Sequence, residues 1–374
     1  MDTCEVLIVG GGPAGSACAW RLRRAGIEVA IIDRARFPRD KVCAGWITPQ
    51  VIDDLQIDVG DYRAGRTLQP VTAFRVGVIG CSDATEAHYD GPVSYGIRRC
   101  EFDQYLLQRS GARLLPGAPV STIRRAGSGW IVNETIRASM LVGAGGHFCP
   151  VGRLLNASCS RDALVAAQEV EFPIAPEDLV GCPIDADRPE LYFCHDFAGY
   201  GWCFRKQNYL NVGFGRLNAR SLPRDTADFV AFLTAKRQLP LSAAPRWRGH
   251  AYLVAGSSRR RLVGDAVMLI GDAAGLAYAE SGEGIRPAIE SGLLAASAII
   301  DSGGHYDHGR LAPYVDRVQR RFGLRSIGGS ISRLVPSAAA RAVARRMLAS
   351  SWFVRHVVID RWFLHAREPA LAST

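Results

Sequence analysis

The feature that most constrains this chain is a six-residue run, Gly10-Gly11-Gly12-Pro13-Ala14-Gly15, set between two apolar segments. Before it, Glu5 to Val9 reads Glu-Val-Leu-Ile-Val, the uninterrupted apolar run expected of a buried parallel strand. After it, Ser16 to Ala25 reads as a small-residue helix ending at Gly26, and Glu28 to Ile32 as a second strand that stops at Asp33. The run satisfies Gly-x-Gly-x-x-Gly, so the first 33 residues spell a complete βαβ unit. Gly10 permits the tight turn, Gly12 lets the backbone approach a pyrophosphate, and Gly15 lets the helix lie close on the sheet. The free amides and positive dipole end of the helix face the anion. Asp33 is placed to accept hydrogen bonds from a ribose, and Ala14 and Arg34 join these residues as expected contacts. The pattern predicts dinucleotide binding.

A length of 374 residues predicts two or three structural units, and 48% apolar with 22% charged residues excludes a disordered or fibrous chain. No segment reaches the roughly 18 apolar residues a bilayer span needs. Ala266 to Ala279 comes nearest, and Asp272 interrupts it. The acidic start, with Asp2 and Glu5 leading straight into a strand, predicts no signal peptide and a cytoplasmic protein. Ten cysteines lack the two-residue spacing of a zinc or redox pair, and the eight histidines form no local cluster, so reduced thiols and no metal site are expected. The net charge of +9 is concentrated: from Asp316 to Thr374 there are eleven Arg against two Asp and one Glu. That placement argues against a nucleic-acid partner. It predicts the solvated side of C-terminal helices, with peripheral contact to an anionic membrane surface as the second reading of the same Arg-rich helices.

A second glycine-rich segment lies late in the chain. Ala266 to Ile270 reads as a strand, followed by Gly271-Asp272-Ala273-Ala274-Gly275 and then by Ser281-Gly282-Glu283-Gly284-Ile285, which opens a long helix carrying Pro287 in its first turns. An aspartate after a glycine-bounded strand suits the hydroxyls of a flavin's sugar-alcohol chain. A glycine-rich helix entry aims amide donors at the flavin's pyrimidine edge.

These two segments, with Arg99-Cys100-Glu101-Phe102-Asp103, resemble the flavoproteins of the p-hydroxybenzoate hydroxylase fold. Lys41-Val42-Cys43-Ala44-Gly45 and Tyr200-Gly201-Trp202-Cys203-Phe204 narrow the likeness to the geranylgeranyl reductase family, whose motifs are Lys-x-Cys-Gly-Gly and Tyr-x-Trp-x-Phe-Pro. The resemblance implies FAD as cofactor, held by Gly10, Gly12, Ala14, Gly15, Asp33, Arg34, Lys41, Ala44, Arg99, Gly271, Asp272, Gly282, Gly284 and Ile285. It implies Arg99 at the sugar-phosphate region, Asp272 on the ribityl chain and Gly282 to Ile285 beside the isoalloxazine. It further implies that Cys43 acts in the chemistry and that Tyr200 and Trp202 line the substrate cavity. This chain departs from the pattern at Ala44 for glycine, Arg205 for proline, Ala279 for proline and Gly146 for an acid.

The fold expected is α/β, with a Rossmann-like FAD-binding domain, an antiparallel β-sheet substrate domain and C-terminal helices. The FAD domain is expected to be discontinuous, at 1–69, 95–165 and 255–303, with the substrate sheet at 70–94 and 166–254 and a helical region at 304–374 divided by Pro336. Three functions fit. A reductase would deliver hydride from reduced FAD to a carbon–carbon double bond of an apolar or aromatic substrate; a monooxygenase or halogenase would use a flavin hydroperoxide; an electron carrier would pass electrons to a membrane or protein partner. With one dinucleotide fingerprint only, NAD(P)H or another reductant is expected to act as a transient electron donor.

Overall fold

The computed structural model describes residues 1–156, 164–217, 219–239, 241, 245–256, 260–323 and 338–371, with the side chains of 338–341 left out. Pro336, expected to divide the C-terminal helices, lies outside the described residues. The chain divides into two compact units. The first comprises Met1–Asp40, Cys100–Ala163 and Tyr252–Ser326; the second comprises Lys41–Arg99, Leu164–Ala251 and Ile327–Thr374. The sequence-based boundaries differ at three places: 41–69 and 95–99 group with the antiparallel sheet rather than the FAD domain, and the C-terminal region is shared between the units. The loop carrying Lys41, Cys43 and Ala44 therefore belongs to the second unit.

The first unit is built on a parallel sheet. Asp2–Val9 pairs in parallel with Ile136–Gly143 on one side and Val29–Asp33 on the other, and the sheet continues to Arg113–Pro116 and Val267–Leu269. Strands covered on both faces have no use for alternation, and Val6, Leu7 and Ile8 are all fully buried, each burial contributing roughly 1.5–3 kcal/mol. The helix Pro13–Arg24 follows the glycine turn with Pro13 at its first position, and ends at Gly26, whose φ of +83° suits only glycine well. It packs on the helix Ile285–Asp301, where a Cβ at Gly292 would stand 2.4 Å from the Ala14 carbonyl oxygen. The two glycine-rich segments are brought together through this contact.

The second unit is a seven-stranded, largely antiparallel sheet in which Tyr209–Arg216 pairs antiparallel with Leu164–Pro173 on one side and, as a hairpin, with Gly199–Lys206 on the other. One face carries the helix Leu222–Arg237. Phe229 on that helix lies so close that a Cβ at Gly201 would sit 2.5 Å from its ring, which explains why the strand bears glycine there. The other face carries Glu169, Glu171, Tyr200, Trp202, Phe204, Lys206 and Asn211. Trp46 stacks on Phe204 at 5.0 Å, and Phe363, the last residue of the π-helical segment Val354–Phe363, packs edge-on against Tyr200 at 5.3 Å.

Candidate functional site

In the first unit the three fingerprint glycines have different reasons. Gly10 has φ +114°, and a Cβ there would meet the Ala144 carbonyl oxygen at 2.5 Å; a Cβ at Gly15 would meet the Gly10 carbonyl oxygen at 2.0 Å. Both are required by the fold itself. Gly12 is different: its backbone is extended, it caps the helix without a side-chain bond, and a Cβ there meets only the Arg39 guanidinium at 3.4 Å. Space is left in front of the helix amides at that one glycine. Asp33 accepts from the Gly11 amide at 2.7 Å and the Ala35 amide at 2.8 Å, so each carboxylate oxygen keeps a lone pair for a ribose hydroxyl. Arg34 is exposed beside it.

A cation that the fingerprint does not announce stands over this turn. Arg39 pairs with the fully buried Asp103 at 3.2 Å and stacks on Phe37 at 4.6 Å. Asp103, the last residue of the Arg99–Asp103 motif, thus orients a guanidinium at the glycine turn. Arg99, at the start of the same motif, groups with the second unit. It is buried, and within its own unit it lies against the Cys43 thiol and the Glu169 carboxyl.

At the late turn, Gly271 has φ +58°, and a Cβ there would touch the Ala14 methyl at 3.0 Å. Gly282 has φ +69°, and a Cβ would run into the Tyr252 hydroxyl. A Cβ at Gly284 would come within 3.4 Å of the Asp272 carboxylate, so a side chain there would crowd that acid. One expectation requires correction. The amides of Ile285 and Arg286 do not point at an empty space: both donate to the Glu283 carboxylate, at 2.7 and 2.9 Å. An acid two residues before the first helical turn satisfies the orphan donors itself. Gly146 has φ +75° with open space around it, so the backbone explains the glycine found in place of an acid.

In the second unit Lys41 lies 2.8 Å from His250 Nε2, and Ala44 is half-buried beside Cys43. Cys43 donates its backbone amide to the Glu169 carboxyl, and its sulfur accepts from the Gly45 amide at 3.4 Å. Burial pushes the Cys43 thiol up, with Glu169 adding to the effect and Arg99 opposing it. Such a thiol holds its proton at neutral pH and is a donor rather than a nucleophile. Trp202 is buried: its indole N–H donates to Asn211 at 2.8 Å, and its ring fills the place where a Cβ at Gly213 would stand. It is a fixed wall, whereas Tyr200 is half-buried. Beneath them Lys206, only 1% exposed, bonds Glu171 at 2.8 Å, and the Asn211 amide joins Glu171 to the Cys43 carbonyl at 3.1 and 3.3 Å. Burial raises Glu171, but Lys206, Asn211 and Arg98 outweigh it and leave the group below the usual carboxylate range.

Residues 8–62 match the NAD(P)-binding Rossmann-like domain family. The menaquinone reductase of Mycobacterium tuberculosis is 31% identical over 345 residues, spanning 86% of this chain and 82% of that protein. The chain belongs to the geranylgeranyl reductase family of FAD-dependent oxidoreductases. The chloroplastic geranylgeranyl diphosphate reductase of Oryza sativa subsp. japonica is 28% identical over 325 residues, spanning 79% of this chain and 66% of that one. A geranylgeranyl bacteriochlorophyll reductase-like protein from Thermoplasma acidophilum shares the fold, with a TM-score of 0.72 at 22% identity over 93% of this chain and 88% of that chain.

The residues of this reductase-family chain fit FAD: the space at Gly12 is open toward the helix amides, the Arg39 guanidinium stands over it and could meet a pyrophosphate, and the Asp33 and Asp272 carboxylates are the acceptors that could hold hydroxyls. Glu283 has to leave the amides of Ile285 and Arg286 before any flavin oxygen can use them. Arg39→Ala is expected to weaken FAD binding about tenfold, the loss of one charge-assisted contact of roughly 1.5 kcal/mol, measured by titration of the apoprotein. An Arg39→Ala variant that binds FAD as tightly as the parent would remove that residue from the site.

Proposed function

We propose that this oxidoreductase saturates a carbon–carbon double bond in the polyprenyl chain of a lipid-like substrate, such as a prenylated quinone. The likeness to two reductases carries this choice. Menaquinone and geranylgeranyl diphosphate, the substrates their names give, share one reducible group, an unsaturated prenyl chain. Bound FAD, once reduced by a transient donor such as NAD(P)H or a redox partner, supplies a hydride.

The chain's own residues account for what remains. Saturation needs a proton on the second carbon, and Cys43 is suited to hold it, because burial keeps its thiol protonated. Tyr200 and Phe363 form an aromatic wall, and Trp202, locked by Asn211 and Gly213, fixes that wall's depth. Gly45, with φ +67° and a Cβ position 2.4 Å from the Ile97 carbonyl oxygen, sets the bend that presents the thiol. The test is anaerobic: reduced holoprotein mixed with a prenylated quinone should reoxidise in the absence of oxygen. If only air reoxidises it and the product carries added oxygen, the chain is a monooxygenase instead.

We further infer that the C-terminal segment touches an anionic membrane surface. No described helix is long and apolar enough to cross a membrane. Val343, Met347 and Trp352 are nonetheless 57%, 41% and 66% exposed, close to the exposed Arg345 and Arg346. Apolar anchors beside basic side chains suit a surface of anionic lipid, each basic residue contributing about 1 kcal/mol. Co-sedimentation with phosphatidylglycerol vesicles should fall about tenfold in the Trp352→Ala, Met347→Ala double variant, an estimate from the lost apolar area. Unchanged sedimentation would sink this contact while leaving the chemistry untouched.

A further inference from the structure

The sheet face beneath Cys43 carries an acid to which the proposed chemistry assigns no part. Glu169 is 7% exposed, on the strand Leu164–Pro173, and faces the same way as Trp202, Asn211 and Lys206. Its strand partner is Gly213, the residue whose missing side chain lets the Trp202 ring lie flat. Its carboxyl takes the Cys43 amide, although nothing in strand pairing requires an acid there. The Cys43 carbonyl is tied in turn to Asn211, which bonds Glu171. Both backbone polar groups of the cysteine are therefore held by one buried network.

We propose that Glu169 is a positioning residue that governs the reactivity of the Cys43 thiol, through the amide it holds and the charge it can place beside the sulfur. The inference rests on the role given to Cys43 above. Burial raises Glu169 to about 8, with Glu171 adding to it and Lys206, the Cys43 amide and Arg99 opposing. Near neutral pH the carboxyl is largely neutral, and Glu169 places no charge at the thiol against that of Arg99. Above that value a negative charge appears next to the sulfur and resists formation of the thiolate. The other charged groups around it are accounted for: Glu171 is bound to Lys206 and to Arg98, Arg98 stacks on Tyr209 at 3.6 Å, and Lys41 is beside His250.

The sign of the stability effect follows from the same ionisation. A carboxyl raised in the fold stabilises it below the ordinary carboxylate range, and that contribution is lost as pH rises through about 8.

The experiment uses the full chain without substrate. Alkylation of Cys43 by iodoacetamide is followed by peptide mass spectrometry from pH 6 to 10 in the parent, Glu169→Gln and Glu169→Ala proteins. Glu169→Gln keeps an acceptor for the Cys43 amide and removes the charge, so its rate–pH curve should shift to lower pH, with alkylation at pH 9 about fivefold faster than in the parent. Its thermal midpoint should exceed the parent's at pH 9 and converge with it at pH 5. Glu169→Ala should lose both the amide bond and the parent's pH profile. A Glu169→Gln profile that superimposes on the parent's overturns the proposal, whatever turnover shows. If the profile shifts but the Cys43→Ala protein retains full turnover, Glu169 still governs the thiol, and it is the catalytic use of the thiol that fails.

Discussion

Gly12→Val should yield a folded protein that binds FAD at least about 100-fold more weakly than the parent, a loss of roughly 3 kcal/mol. The contrast between the three fingerprint glycines makes this expectation specific. A side chain at Gly10 or Gly15 drives into backbone carbonyl oxygens at 2.5 or 2.0 Å, so the turn itself must break. At Gly12 the added atoms enter open space before the helix amides and disturb only the end of Arg39, a side chain that can move. The fold survives because φ at that residue is −73°, ordinary for any L-residue. What is lost is the approach of the pyrophosphate to free N–H groups at a helix N-terminus, together with its attraction to the dipole. Circular dichroism and a flavin titration separate the two effects. A Gly12→Val protein that holds FAD normally would place the cofactor somewhere other than this turn.

The second large effect is expected at Cys43. Cys43→Ala should retain its flavin and lower turnover about 100-fold or more, the range seen when a positioned proton donor is removed. Cys43→Ser, which keeps a short donor in the same place, should recover part of the loss. The local fold has little reason to fail: the bonds to Glu169 and Asn211 use the backbone amide and carbonyl of Cys43, and the loop is further tied by the Ile97 amide to the Gly45 carbonyl. The pH dependence has a definite direction. Burial holds the thiol above its ordinary range, so a step that consumes the S–H proton should run at full rate through neutral pH and fade only as the solution becomes alkaline. Turnover within about twofold of the parent in Cys43→Ala would assign the proton to water.

The βαβ start was legible because its signals are local. A strand, a turn in which Gly10 and Gly15 are fixed by sterics, and a helix with Pro13 at its first position need no distant partner to be recognised. The period of two along Gly199–Lys206 likewise holds Tyr200, Trp202 and Phe204 on one face of the sheet. Lys206 continues the same period of two, and Glu169 and Glu171 do so on the neighbouring strand, so their shared face was open to inspection; their burial was not, because it depends on pairing between strands far apart in sequence. Arg39 was hidden for a similar reason. It is held over the glycine turn only through Asp103, 64 residues away in the chain. The domain boundary near residue 41 was missed because the Cys43 loop resembles a cofactor motif in sequence, whereas its backbone is tied to Asn211 and Glu169 of the antiparallel sheet. Glu283 shows the limit of reading helix entries as anion sites. A nearby carboxylate can satisfy the same amides, and sequence alone does not say which acceptor wins.

Mass spectrometry of the lipid product after a single anaerobic turnover tests the central claim most directly. Reduced holoprotein is mixed with a prenylated naphthoquinone, and the product is reoxidised chemically before analysis, so that any quinol returns to quinone. The expected product keeps one extra pair of hydrogens, located in the prenyl chain by fragmentation. Recovery of unaltered quinone, or of a species that has gained oxygen and forms only in air, would contradict saturation of the chain.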